Sequence, residues 1–136
     1  MVDINKLTRS QLKKKLDDEF SIFIRKRDSD DWTELGNCIT CGQTRHWKKA
    51  DNGHYITRAC LPLRWDEKNN HLQCKGCNGP RGGEPVLYRR RLIQMYGEEE
   101  VEKLEATYVA WKNNELPKFT LQELRDLLIY YKEQNK

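Results

Sequence analysis

Hydrophobic residues recur at helical spacing near both ends of the chain and lose that rhythm in the middle. Leu12, Leu16, Phe20, Phe23 and Ile24 fall on one stripe, which predicts an amphipathic helix over residues 9–27. Thr8-Arg9-Ser10-Gln11 has the form of a capping box at its start, and Asp28-Ser29-Asp30-Asp31 ends it. Lys13, Lys14 and Lys15, then Arg25, Lys26 and Arg27, flank the stripe. They read either as a solvated face or as contacts to backbone phosphates.

Toward the C-terminus, Pro85 suits the first turn of a helix that packs through Tyr88, Leu92 and Met95, with Gly97 as its C-cap. A charged helix follows from about Glu98 to Trp111, packing through Val101, Leu104, Tyr108 and Trp111. Its opening acids, Glu98-Glu99-Glu100, complement the positive end of the helix dipole. Residues 113–118 form a linker containing Pro117. Thr120 and Glu123 then cap a last helix striped by Leu121, Leu124, Leu127, Leu128 and Tyr131.

The middle section is short-ranged and irregular. Tyr55-Ile56-Thr57 reads as one strand and His71-Leu72-Gln73 as a second, joined by a long connection with Pro62 and Asn69-Asn70. Gly76, Gly79, Gly82 and Gly83, with Pro80, leave room for only one or two helical turns after Cys77.

At 136 residues the chain suits one modest domain with helical extensions. The expected division is a basic N-terminal helix (1–31), a core (32–97) and a C-terminal helical extension (98–136). Charge follows that division. Residues 32–97 carry eleven Lys or Arg against five acids, whereas residues 98–136 carry six against nine. A polyanion would be drawn to the middle. No apolar run is long enough to span a membrane, and the N-terminus lacks the pattern of a secretory signal, so a cytoplasmic location is expected.

Four of the five cysteines form two knuckles, Cys38-Ile39-Thr40-Cys41 and Cys74-Lys75-Gly76-Cys77. Two such turns can bring four sulfurs onto one Zn²⁺, and in so thin a core that ion would contribute directly to folding. Cys60 reads as a packing residue or a spare ligand. All four tryptophans, Trp32, Trp47, Trp65 and Trp111, read as packing residues.

The segment between and around the knuckles resembles the HNH endonucleases, and more closely the lambdoid phage NinG proteins, also called Rap. The resemblance is carried by Cys38-x-x-Cys41, Asp51-x-Gly53-His54-Tyr55, Leu63-Arg64-Trp65, and Asn69-x-His71-x-Gln73-Cys74-x-x-Cys77-Asn78. Tyr88, Leu92 and Gly97 extend it, as do Lys13-Lys14-Lys15-Leu16 and Phe20-Ser21-x-Phe23-Ile24-Arg25.

The resemblance implies an α+β fold: a small zinc-bound ββα-metal (HNH-type) core with flanking N- and C-terminal helices. It also implies a metal-dependent endonuclease acting on branched recombination intermediates such as Holliday junctions and D-loops, in the cytoplasm of a phage-infected bacterium. His54 would deprotonate the attacking water, Asn69 would shape the loop between the strands, and Asn78 would contact a catalytic Mg²⁺ or Mn²⁺. Many HNH nucleases carry Asp immediately before the base histidine; Gly53 stands there instead. Asp51 or His71 would then complete the site with Asn78, and a carboxylate suits a hard divalent ion better; His71 reads equally as a metal or phosphate contact or as a structural support for His54.

Arg58, Arg64 and Arg81 lie near these motifs as candidate phosphate contacts, and Arg89-Arg90-Arg91 as an extension of that surface. Trp47 or Trp65 has a second reading, as a wedge in an opened junction. A homodimer would suit the two strands of a junction. Two alternatives remain open at the sequence level: a noncatalytic zinc module that binds DNA, and an HNH nuclease of linear duplex.

Overall fold

The computed structural model describes residues 2–136. Helix α1 runs from Arg9 to Arg27 and α6 from Leu121 to Gln134, each opened by a reciprocal capping box at Thr8 or Thr120. Those two helices pack on each other. Leu12, Leu16, Phe20 and Ile24 of α1 meet Leu124, Leu128 and Tyr131 of α6, together with Trp65. Tyr131 stands edge-on to Phe20 with ring centroids 4.9 Å apart, a favoured aromatic geometry.

A second core forms where α4 (Pro85–Tyr96) and α5 (Glu98–Lys112) meet around Tyr88, Leu92, Val101 and Leu104. Gly97 separates the two helices at φ 91°, a conformation that disfavours any side chain. Met95, expected on the packed face of α4, is half exposed. The inward row of α4 is Tyr88, Leu92 and Tyr96 at intervals of four, and Met95 lies off it.

Two antiparallel hairpins occupy the middle of the chain, and the second packs between α1 and α4. Strands β1 (Leu35–Asn37) and β2 (Thr44–His46) pair with Gly36 opposite Arg45, and their connecting loop carries the first cysteine knuckle. Strands β3 (Ala50–His54) and β4 (Asn70–Cys74) pair with Gly53 opposite His71 and His54 opposite Asn70. The short helix α2 (Leu61–Arg64) lies in their connection, and the single turn α3 (Lys75–Asn78) follows β4 and ends at Gly79.

The second strand thus falls where expected, but the first lies earlier than Tyr55–Thr57. Asp51, Asn52 and Gly53 are poor strand formers, yet the fully buried β4 recruits them as its partner. Pairing stops after Tyr55 because the Asn69 side chain takes over: its Oδ1 accepts from Ile56 N at 2.8 Å, and its Nδ2 donates to Ile56 O and Leu63 O. Those bonds turn the chain away from the sheet.

The tryptophans divide. Trp65 is buried, whereas Trp32 is 93% exposed. Trp32 sits on a turn in which Asp30 Oδ1 accepts from the amides of Trp32 and Thr33, so local hydrogen bonds rather than burial fix its place.

Candidate metal centre and adjoining cleft

The sulfurs of Cys38, Cys41, Cys74 and Cys77 all lie within 4.8 Å of one another. A Zn–S bond of about 2.3 Å sets tetrahedral S···S separations of about 3.8 Å, and Cys41 Sγ lies 3.7 Å from Cys74 Sγ. Each knuckle also points an amide at its own first sulfur, Cys41 N at Cys38 Sγ and Cys77 N at Cys74 Sγ. The donor set and its spacing fit one structural Zn²⁺.

Burial opposes thiolate formation at both Cys38 and Cys41. Amide and Thr40 hydrogen bonds nevertheless draw the Cys38 thiol down to about 6, while the neighbouring sulfurs help drive Cys41 up to about 12. A divalent cation removes that conflict by stabilising all the thiolates together. Ile39 N donates to Leu72 O, so the metal-holding loop is stitched to β4 as well.

Beside this centre opens a cleft of about 370 Å³, walled by α1, β3, α2 and α3. His54, Asp51 and Asn78 all line it. His54 Nε2 lies 3.1 Å from the backbone oxygen of Arg64. A carbonyl only accepts, so Nε2 carries the proton and Nδ1 is left as the basic atom. Burial lowers the His54 pKa; the Arg64 carbonyl opposes this, while the Arg58 and Arg64 charges reinforce it. The imidazole is therefore neutral at neutral pH.

Asp51 Oδ2 accepts from Asn78 Nδ2 at 3.0 Å, and its Oδ1 pairs with Lys75 Nζ at 2.7 Å. Burial alone would raise this carboxyl, but the Lys75 and Asn78 hydrogen bonds and nearby charge bring it below its ordinary value. Asp51 and Asn78 together offer oxygen donors from β3 and α3. They fit part of a hard-cation site, which for Mg²⁺ commonly includes several waters. Among the described residues, only the four cysteines form a cluster of three or more His, Cys, Asp or Glu ligands.

The remaining candidates are placed as follows. Asn69 is buried in the loop it closes and does not reach the cleft. His71 is 1% exposed and lies between two tyrosines, with Nε2 2.8 Å from Tyr96 Oη and Nδ1 3.3 Å from Tyr88 Oη. Alternation separates it from His54, which pairs with Asn70, so the next residue along β4 projects from the opposite face. Asp51 shares the parity of His71, but its carboxylate is held in the cleft by Lys75 and Asn78. The structure does not bring His71 to Asp51 and Asn78 as a ligand. Its burial lowers the pKa to about 4.

Arg58 and Arg64 reach the cleft, but both already hold Asp17. Arg64 donates through Nε and Nη2, and Arg58 through Nη2 at 2.9 Å. Arg81 lies elsewhere, with Nη2 3.5 Å from Cys77 Sγ; it faces the metal centre rather than the cleft. Arg89 is paired with Glu105 on α5. Cys60 is buried beside Leu63 and Tyr88, apart from the four-sulfur cluster. Trp65 gives its indole N–H to Asp17 inside the core, which leaves no free ring to wedge into DNA.

Sequence reasoning missed Asp17 and Ser21 at this site, and gave Arg25 only as one of six basic residues that read either as a solvated face or as phosphate contacts. Asp17, Ser21 and Arg25 lie four residues apart on one edge of α1, and all three line the cleft. That polar row beside the apolar stripe is visible in the sequence as an i, i+4, i+8 series. Asn70 was also missed: its Nδ2 donates to the Arg64 carbonyl that holds His54, and to Asp66 O at 2.7 Å.

Together these features define a mixed α/β protein with flanking helices and a four-cysteine cluster that fits a small metal-binding core. Residues 4–136 match the family described as Bacteriophage Lambda NinG protein, and the chain belongs to that family. It is 38% identical over 115 residues to Protein ninG of Escherichia phage 933W, covering 84% of this chain and 51% of that one. Against Protein ninG of Escherichia phage lambda the identity is 36% over 115 residues, covering 84% and 50%. The Salmonella phage P22 protein is 42% identical over 87 residues, covering 63% of this chain and 40% of its own length. The chain therefore spans about half the length of these relatives. No solved structure matches it. Among the described residues, no helix is long and apolar enough to cross a membrane.

Proposed function

We propose that this protein is a metal-dependent endonuclease of the ββα-metal type that hydrolyses phosphodiester bonds in branched DNA. One observation carries the reading: a neutral histidine, a carboxylate and an amide share one cleft beside a zinc-type centre. The antiparallel pair β3–β4 followed directly by α3 supplies the order of elements expected of such a core.

In this reading His54 Nδ1 takes a proton from the attacking water while Nε2–H stays on the Arg64 carbonyl. The water oxygen bonds to phosphorus, the bond to the 3′ oxygen breaks, and that oxygen takes a proton from solvent to leave a 3′ hydroxyl and a 5′ phosphate. A Mg²⁺ or Mn²⁺ ion held by Asp51 and Asn78 would neutralise charge on the phosphate and the departing oxygen. Asn69 and Asn70 fix the loop that carries the Arg64 carbonyl and so hold the imidazole in place. Arg58 and Arg64 share Asp17 at the cleft wall, and only the donors they do not spend on it are left for backbone phosphates, contacts that carry little base information. That inventory suits recognition by DNA shape. The family resemblance points to branched intermediates.

The test is cleavage of linear, forked and four-way DNA with Mg²⁺ or Mn²⁺, with His54→Ala as control. The reading predicts cleavage of the four-way substrate in preference to its linear arms, abolished in the variant. Equal rates on both would defeat branch selectivity and favour a general HNH nuclease. A second reading, a noncatalytic zinc module that binds DNA, has one observation in its favour: Asp51 is already occupied by Lys75 and Asn78. Binding without cleavage by the unaltered protein would establish it.

A further inference from the structure

Resting on the nuclease reading, we propose that Arg25 of α1 is a catalytic residue that grips the reacting phosphodiester. Three of the positive charges in the cleft are already paired with carboxylates. Asp17 takes both Arg58 and Arg64, and Asp51 takes Lys75. Arg25 differs: its hydrogen bonds all go to neutral acceptors, from Nε to Ser21 O and Oγ and from Nη1 to Trp47 O at 3.1 Å. Its charge is not neutralised by a bonded carboxylate.

Those bonds also aim it. Ser21 lies one turn back on the same helix, and the guanidinium carbon stands 5.2 Å from the centre of the Trp47 ring. The side chain is fixed from below, from one edge and across one face. Both hydrogens of Nη2 and the second of Nη1 stay uncommitted. Arg25 lines the same cleft as His54 and Asn78 and lies in the electrostatic field of Asp51. A half-buried guanidinium with a free fork offers two parallel donors to phosphate oxygens. Charge that builds on those oxygens during attack is met by donors already oriented, without reorganisation.

Lys48 strengthens the assignment. It lines the cleft, and its ammonium lies 5.6 Å from the same indole centre. Trp47 thus serves as a platform that collects cations at the rim, with Arg25 the member that reaches inward. The contribution comes from the N-terminal helix, so α1 belongs to the site and is more than a basic arm beside it.

Single-turnover cleavage should be compared for the unaltered protein, Arg25→Lys and Arg25→Ala, alongside DNA affinity without divalent ion. Loss of one oriented charge-stabilising donor typically costs about 100-fold or more in rate. Arg25→Ala should lose about that much and Arg25→Lys at least about 10-fold, since an ammonium lacks the fork, while affinity changes less than about threefold. Cleavage by Arg25→Lys within about twofold of the parent overturns the proposal. A second measurement follows the Arg25 guanidinium resonances of the unaltered protein during titration with a dinucleotide phosphodiester. They should shift on saturation; unmoved resonances overturn the proposal even in an active enzyme. Should the unaltered protein fail to cut, the nuclease reading falls, and a shift would still identify Arg25 as a phosphate seat.

Discussion

A Cβ placed on Gly53 would lie 2.1 Å from Gln73 Oε1 and 2.8 Å from Gln73 Cβ. Gln73 is wholly buried, and its Nε2 is committed to Thr40 Oγ1 and Gly83 O. That leaves Oε1 over the glycine without a hydrogen-bond partner among the described residues. The pair accounts for the absent acid before the candidate base: the space that side chain would enter is filled from the neighbouring strand.

Restoring the acid should therefore cost stability. Gly53→Asp is expected to lower stability by about 1–3 kcal/mol through overpacking, with an added penalty for burying a carboxylate beside Oε1. Gly53→Asp with Gln73→Ser should recover part of the loss. Urea unfolding of the three proteins checks this; a Gly53→Asp protein as stable as the parent would show that Gln73 moves aside.

Removing the candidate base tests the chemistry. His54→Ala should reduce cleavage of a four-way junction by about 100-fold or more and leave affinity for the same DNA unchanged. A variant that cuts at the parental rate would remove His54 from the reaction.

Acid should silence the enzyme only below the ordinary histidine range. His54 acts when neutral, and burial holds its pKa under 6.5. The rate should then rise with pH along an acid limb centred below that value and be level at neutrality. An acid limb centred above 6.5 in a kcat/KM profile would contradict the assignment.

His71 should make stability itself depend on pH. Its folded pKa is about 4, against about 6.5 for an unperturbed histidine, so between those limits the unfolded chain binds more protons. The contribution is fully present above pH 6.5, falls as pH drops, and levels off below about 4, a change of up to about 3 kcal/mol. The difference in urea stability between the parent and His71→Gln, followed from pH 7 to pH 4, isolates it from the thiolates. Parallel curves would refute it.

Stripping the sulfur-bound metal should unfold the middle of the chain. One zinc per chain is expected by native mass spectrometry, and a strong chelator or Cys74→Ser should lower the melting temperature sharply. A chelated protein that melts as before would mean that the thiols pack without an ion.

Local patterns alone revealed the four long helices, two capping boxes and the thiol knuckles, but not the short α2. Helical periodicity and capping act within a turn, and a CxxC turn places its own two sulfurs. The family resemblance, not local pattern, singled out His54, Asp51 and Asn78, which the fold brings to one cleft. Tertiary structure decided what depends on distant partners. Buried β4 drew Asp51-Asn52-Gly53 into a strand against their own propensity. The pleat then sent His71 to the tyrosine side, and the packing of α1 against β3 carried Asp17 and Arg25 to the cleft wall. Such choices turn on which face of one element meets another, and a chain read one window at a time does not contain them.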